Sequence, residues 1–138
     1  MNEKYMNEAY KEALKASKNK DIPVGAIIVY NNKIIARSHN NRQKNSNILG
    51  HAEINSILKA EKRLKDWRLD QCEMYVTLEP CKLCEYVILE SRIKNVYYLL
   101  KNENIEKKHQ KFIQTNDCIT LKNSYEKLIK IFFKNLRK

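Results

Sequence analysis

Two short stretches of the chain contain residues that could bind a metal ion and move protons. His51-Ala52-Glu53 supplies an imidazole and a carboxylate, and Pro80-Cys81-Lys82-Leu83-Cys84 supplies two thiols. One histidine and two cysteines suit a tetrahedral zinc ion whose fourth position stays open for water, as in catalytic zinc sites. Glu53 would not bind the ion and could exchange protons with that water. The two stretches therefore predict metal-assisted hydrolysis.

Both stretches are predicted to begin helices. Cys81 and Cys84 are three residues apart, so on a helix they face the same side, and a helix N-terminus favours their thiolate forms. Pro80 fits the first turn of such a helix. A structural zinc clip is the alternative, and a lone Cys-x-x-Cys would favour it. The single upstream His51, the missing fourth ligand and the free carboxylate of Glu53 favour catalysis instead.

Length and charge restrict the class of protein. The 138 residues predict one domain over 1–138, long enough to bury a core. Lys and Arg number 27 against 16 acidic residues, a net charge of +11, which fits a polyanionic partner such as nucleic acid. Compositional bias is the alternative, since Lys, Asn and Ile are used heavily throughout the chain. Charge alone thus gives limited support to nucleic-acid binding.

Cysteine usage and hydropathy predict a cytoplasmic protein. The first twenty residues are charged and helical in pattern, without the apolar segment of a signal peptide, and no run approaches the roughly 20 apolar residues of a spanning helix. A disulfide framework is not expected in that setting. We therefore predict that Cys72 and Cys118 are structural free thiols.

Apolar periodicity alternates between helix and strand along the chain, which indicates an α/β fold. Residues 101–116 are polar and favour at most a weak helix. The predicted elements, in order, are a helix over 5–16, a hairpin of strands 24–30 and 33–37, a loop over 38–50, a helix from 52 to 64, a strand over 73–78, a helix from 80 to about 92, a strand over 96–100, an edge strand over 119–121, and a final helix capped by Asn123 and Glu126.

Four motifs follow one another in the first two thirds of the chain. They are Asp21-Ile22-Pro23-Val24-Gly25-Ala26, His51-Ala52-Glu53, Leu78-Glu79-Pro80-Cys81-x-x-Cys84 and Ser91-Arg92-Ile93. This series resembles bacterial-type tRNA-specific adenosine deaminases of the cytidine and deoxycytidylate deaminase superfamily. The resemblance implies a three-layer α/β/α fold with a central mixed sheet of about five strands flanked by helices. It also implies one zinc ion per subunit, a homodimer, and conversion of the wobble adenosine of a tRNA anticodon stem-loop to inosine.

The resemblance assigns roles to individual residues. His51, Cys81 and Cys84 match the zinc ligands, and Glu53 matches the catalytic proton carrier. Asn40 matches the asparagine that holds the base, although in this Asn-rich chain an ordinary loop asparagine is the alternative. The remaining assignments are pocket walls at Val24, Ala52 and Leu78, and RNA contacts at Arg42, Lys134, Arg137 and Lys138.

Two segments depart from the family pattern. Ile48-Leu49-Gly50 stands where the family usually has Pro-Thr-Ala, and Leu99-Leu100-Lys101-Asn102 stands where it usually has Gly-Ala and an Asp. Both segments lie near the substrate in the family, so they bear on which substrate is accepted. Two alternatives therefore stay open: a deaminase of a free base or nucleoside such as cytosine or guanine, and a non-catalytic, zinc-stabilised RNA-binding module.

Overall fold

The fold is built on a five-stranded mixed sheet in the order β2-β1-β3-β4-β5. The computed structural model describes residues 2–103, 112–115 and 117–136. Strand β1 pairs antiparallel with β2 and β3, while β3–β4 and β4–β5 are parallel pairs. The elements are α1 (Glu3–Lys18), β1 (Gly25–Tyr30), β2 (Lys33–His39), α2 (Arg42–Asn45), α3 (Ala52–Leu64), β3 (Cys72–Leu78), α4 (Lys82–Glu90), β4 (Asn95–Leu100), β5 (Phe112–Gln114) and α5 (Ile119–Leu136).

Helices cover both faces of the sheet. Alternate residues of a strand point to opposite faces, so β1 sends Ile28 toward α3 and α4 and Ile27 toward α1 and α5. Each face has its own cluster of buried apolar side chains. This arrangement confirms the predicted three-layer α/β/α fold with a mixed sheet of five strands. The prediction of a single domain over 1–138 stays a prediction.

The first hairpin forms where the sequence predicts it. Asn31 and Asn32 have φ angles of 51° and 59°, which is the backbone of a two-residue turn that asparagine tolerates.

Just before β1, the backbone carbonyl of Pro23 accepts a 2.7 Å hydrogen bond from the buried hydroxyl of Tyr125 on α5. Gly25 lies so close to α1 that a Cβ there would clash with the backbone carbonyl of Ala9. These contacts fix the segment that leads into the site.

The end of the chain differs from the sequence prediction. Residues 119–121 are the first turn of α5 and not an edge strand, and the fifth strand is Phe112–Gln114. Asn123 and Glu126 therefore lie inside α5, so the predicted capping pair is also wrong. The run Ile119-Thr120-Leu121 has strand propensity, but tertiary packing of α5 overrides it. Part of the weak helix predicted over 101–116 lies outside the described residues.

The predicted loop over 38–50 is partly regular. Strand β2 continues to His39, and residues 42–45 form the single turn of α2. The carboxylate of Asp21 accepts hydrogen bonds from the backbone N–H groups of Gln43 and Lys44, at 2.7 and 3.2 Å. Such a distant carboxylate satisfies N–H groups at the start of a helix, and periodicity within the loop does not reveal it.

Cys72 and Cys118 are both buried free thiols, as predicted. Among the helices that the structure describes, none combines the length and apolar character that crossing a bilayer requires. The cytoplasmic location predicted from the sequence stays a prediction.

Candidate metal and catalytic site

The N-termini of two helices converge where β3 ends. His51 is the N-cap residue of α3 and Cys81 is the N-cap residue of α4, both with extended backbone angles. Cys84 follows in the first turn of α4 and is fully buried. Since chain direction places both helix starts at this end of the sheet, the three side chains reach one point. The positive ends of the helix dipoles there favour thiolate sulfur.

His51, Cys81 and Cys84 form a candidate metal site. Their ligand atoms all lie within 4.8 Å of one another, and Cys81 Sγ is 3.8 Å from His51 Nδ1. Zinc–sulfur and zinc–nitrogen bond lengths place tetrahedral ligand atoms about 3.6 to 3.8 Å apart. Imidazole nitrogen and thiolate sulfur are also the donor atoms that zinc prefers. The residues present therefore fit a zinc ion by both spacing and chemistry.

The pKa values of Cys81 and Cys84 are shifted in opposite directions. Cys84 donates a hydrogen bond to Cys81, which with the adjacent His51 lowers the pKa of Cys81 to about 4. The same hydrogen bond, together with burial, raises the pKa of Cys84. The pKa of His51 is also raised, chiefly by its hydrogen bond with Cys81. The site therefore favours the thiolate form of Cys81.

Glu53 is a buried carboxyl group beside this cluster. It is 4% exposed, and burial raises its pKa to about 7. Desolvation disfavours the charged carboxylate, so the group can hold or release a proton near neutral pH. Its position in the first turn of α3, close to the N-cap His51, lets both side chains reach the same space. A general acid and base for hydrolysis needs this combination of reach and pKa.

A cavity of about 120 Å³ opens onto Glu53 and two of the candidate metal ligands, His51 and Cys81. Its wall brings together residues that are far apart in sequence: Ile22, Val24, Asn40, Arg42, His51, Ala52, Glu53, Leu78, Glu79, Cys81 and Asn102. Four of these, Asn40, Val24, Ala52 and Leu78, are the substrate-binding residues predicted from the sequence. Their shared cavity gives them a common location, and their roles stay predictions.

Asn40 is held at the wall of this cavity. Its Nδ2 donates to the carbonyl of Ile22 at 3.3 Å, and its Oδ1 accepts from the backbone N–H of Arg42 at 3.0 Å. An amide oxygen has two lone pairs and an amide nitrogen has two N–H groups, so each end keeps capacity for a ligand. The two bonds therefore orient the amide without exhausting it.

A second, larger cavity adjoins the first. It measures about 400 Å³, shares Ile22, Asn40 and Arg42 with the smaller one, and reaches Phe132 on α5. Lys134 is exposed on the same helix. Arg137 and Lys138, the other two predicted RNA contacts, lie outside the described residues.

Sequence reasoning names Glu79 and Asn102 within longer segments but does not assign either of them to the site. Glu79 is buried, and its Oε1 accepts from the backbone N–H of Asn102 at 3.1 Å, which ties the start of α4 to the end of β4. Both residues line the small cavity. The position of Glu79 next to Pro80 was a usable signal, whereas the pairing with Asn102 spans 23 residues and has no local signature.

Two solved structures combine this fold with moderate sequence identity. One comes from biochemical and structural studies of A-to-I editing by tRNA:A34 deaminases at the wobble position of transfer RNA, with a TM-score of 0.73, 28% identity, and coverage of 81% of this chain and 97% of that chain. The other is the X-ray structure of guanine deaminase from Bacillus subtilis, with a TM-score of 0.70, 35% identity, and coverage of 73% and 66%.

Sequence comparison points to the same group of proteins. The tRNA-specific adenosine deaminase of Bacillus subtilis (strain 168) is 45% identical over 96 residues, which is 70% of this chain and 60% of the Bacillus protein. The chain therefore spans less than two thirds of that relative. Residues 1–100 match the model of the cytidine and deoxycytidylate deaminase zinc-binding region. Because this match covers well over half of the sequence and includes the candidate metal ligands and Glu53, the chain belongs to the cytidine and deoxycytidylate deaminase family.

Proposed function

We propose that the protein is a zinc-dependent hydrolase that converts adenosine to inosine at the wobble position of a tRNA anticodon. The observation that carries the proposal is the buried carboxyl of Glu53 beside the His51–Cys81–Cys84 cluster at one cavity. Support for tRNA comes from the Bacillus relative, which is named a tRNA-specific adenosine deaminase. The homodimer, the one zinc ion per subunit and the cytoplasmic location are further parts of the proposal.

His51, Cys81 and Cys84 would hold the metal ion. Zinc bound there would supply an acidified water molecule at neutral pH. Cysteine binds zinc as the thiolate, so metal binding at Cys81 and Cys84 would be coupled to the loss of thiol protons. The burial of Cys84 prevents competing reactions of its sulfur with solvent species.

Glu53 would carry the protons of the reaction. It accepts one proton from the attacking water and delivers it to the ring nitrogen of the base. It then accepts the second proton from the newly added hydroxyl group and delivers it to the departing amino group, which leaves as ammonia. Adenosine and water thereby become inosine and ammonia. A carboxyl group with a pKa near 7 can both accept and donate a proton at neutral pH, and the burial of Glu53 produces this pKa.

The substrate would enter along the two adjoining cavities. Asn40 is placed to hydrogen-bond one purine edge, with Val24, Ala52 and Leu78 as walls. Arg42 lines both cavities and is exposed, so it can meet a phosphate of the flanking nucleotides. Lys134, Arg137 and Lys138 would extend this positive charge toward the end of the chain.

A deaminase of free bases is the second candidate, because the guanine deaminase of Bacillus subtilis is 35% identical to the chain. The two candidates are separated by measuring products from an anticodon stem-loop with adenosine at the wobble position and from free guanine, cytosine and adenosine. We expect inosine in the stem-loop and no turnover of the free compounds, measured by mass spectrometry. Turnover of a free base with an unchanged stem-loop would instead support the second candidate.

Replacing Glu53 tests the proton carrier. We expect Glu53→Ala to fold and retain zinc but to lose about 100-fold to 10,000-fold in turnover, which is the usual contribution of general acid–base catalysis. Zinc is measured by elemental analysis and turnover by inosine formation. Glu61→Ala, about two turns later on α3, is the control and should keep wild-type turnover. Full turnover by Glu53→Ala would exclude Glu53 as the proton carrier. If Glu53→Ala lost turnover but kept full biological function, the protein would instead act as a non-catalytic RNA-binding module.

Replacing a ligand tests the metal site. We expect Cys84→Ala to lose most of its zinc and to melt at a lower temperature than wild type, because metal binding contributes to folding free energy. Cys118→Ala is the matched control, since Cys118 is a buried free cysteine in the cluster on the opposite face of the sheet. It should keep its zinc even if its melting temperature falls. Undiminished zinc in Cys84→Ala would refute the ligand assignment.

Charge removal tests the RNA contacts. The triple variant Lys134→Ala, Arg137→Ala, Lys138→Ala should bind the stem-loop more weakly. The slope of log K against log salt should flatten by about 0.7 to 0.9 for each phosphate that is no longer neutralised. The control Lys33→Ala, Lys62→Ala, Lys94→Ala removes the same charge from exposed positions that line neither of the two cavities of the site. Equal slopes in the two triple variants would assign the charges near the end of the chain to solubility alone.

A further inference from the structure

Helix α3 lies along the free edge of the sheet and forms a row of hydrogen bonds with β2. Asn55 Nδ2 donates to the carbonyl of His39 at 3.2 Å, and Lys59 Nζ donates to the carbonyl of Arg37 at 2.9 Å. Arg63 continues the row, with its Nη1 3.4 Å from the carbonyl of Ile35. Three donors spaced four residues apart on the helix thus meet three carbonyls spaced two residues apart on the strand.

The spacing of the two elements explains why this row stays in register. Four residues of an α-helix rise about 6.0 Å, and two residues of a strand advance about 6.6 Å. Strand β2 is an edge of the described sheet, so its carbonyls that face away from β1 have no neighbouring strand to bond. The side chains of α3 provide those partners along this edge.

The first donor of the row differs from the other two. Asn55 Nδ2 also donates to Asn41 Oδ1 at 3.0 Å, so one amide group bonds both His39 and Asn41. These are the two residues that flank Asn40. Asn55 is half-buried and belongs to the helix whose start holds His51 and Glu53. It therefore connects the segment that presents Asn40 to the helix that presents the metal ligand and the proton carrier.

Other contacts hold the same segment to different parts of the fold. The backbone N–H of Asn40 donates to the carbonyl of Val24 at 3.0 Å, which extends the pairing of β2 with β1. The backbone N–H of Asn41 donates to the carbonyl of Gly50 at 2.8 Å. His39 Nδ1 lies 3.0 Å from the buried carboxylate of Glu12 on α1. Asn55 adds a direct side-chain link from α3 to the two residues that flank Asn40.

We propose that Asn55 is a positioning residue that sets the location of Asn40 relative to His51 and Glu53. The proposal rests on the function proposed above for its effect on substrate, and on the described contacts for its effect on the protein. Reacting groups must be held in place closely for an oriented reaction, so a small shift of Asn40 should weaken base binding. Lys59 forms the next bond of the same row without reaching the site, so it provides the matched control.

Steady-state kinetics on the anticodon stem-loop test the effect on substrate. We expect Asn55→Ala to raise KM about fivefold to tenfold, as the loss of hydrogen bonds of this kind allows, with kcat and zinc content near wild type. Lys59→Met should leave KM unchanged, and Asn55→Gln, which keeps the amide donors, should recover part of the loss. In an Asn40→Ala background, Asn55→Ala should add almost nothing, because Asn55 acts through Asn40.

Amide hydrogen exchange tests the effect on the protein without any substrate. The N–H of Arg42 donates to Asn40 Oδ1, so its exchange rate reports the position of that side chain. We expect faster exchange at Asn41 and Arg42 in Asn55→Ala and in Asn55→Asp, which is similar in size but cannot donate when ionised. Lys59→Met should exchange there as wild type does.

The outcomes separate the two proposals. The positioning role would be overturned if both Asn55 variants showed wild-type exchange rates at the amides of Asn41 and Arg42. It would also be overturned if Asn55→Ala and Lys59→Met had equal effects on exchange and on KM. Faster exchange confined to the Asn55 variants supports that role even if the wild-type protein forms no inosine, in which case only the proposed function fails.

Discussion

The burial of Glu53 is the constraint on which the rest of the site depends. A charged carboxyl group that is only 4% exposed destabilises the folded state, because it has lost most of its contact with water. This group lies at the start of a helix that is held to the sheet by apolar contacts as well. Ile57 and Ala60 of α3 pack into the core cluster on that face of the sheet. Their packing holds the first turn down, so the carboxyl group cannot turn out to solvent.

The chemistry and the choice of substrate have different structural origins in this fold. The candidate metal ligands lie at the starts of α3 and α4, within two motifs of three and five residues. The wall that would contact a base is assembled from segments joined by hydrogen bonds across the fold, such as the bond from Asp21 to α2 and the bond from Glu79 to the end of β4. Ile48 and Leu49, where the chain departs from the family pattern, are 74% and 49% exposed, and Ile48 lines the larger cavity. Substitutions at Ile48 and Leu49 do not change the residues that would bind the metal ion.

Sequence reasoning reached the parts of the molecule that local spacing determines. Three features depend only on residues that are close together in the sequence. They are the Cys-x-x-Cys pair, the histidine two residues from Glu53 and the Asn31-Asn32 turn. The sequence could not show that Asp21 caps α2, because a carboxylate 22 residues from its partner leaves no periodic signal. Strand propensity also misassigned residues 119–121, where the packing of Tyr125 and its neighbours on the sheet decides for a helix.

The row of bonds between α3 and β2 also restricts how this family member can change in length. One residue inserted after Glu53 would rotate the remainder of α3 by about 100°. The rotation would remove the hydrogen bonds that Asn55, Lys59 and Arg63 donate to the strand carbonyls. It would also move Ile57 and Ala60 out of the core. Neither set of contacts can be re-formed without giving up the other, because one helix presents both. An insertion or deletion between Glu53 and Arg63 would therefore break the polar contacts with β2 and the apolar contacts with the core together.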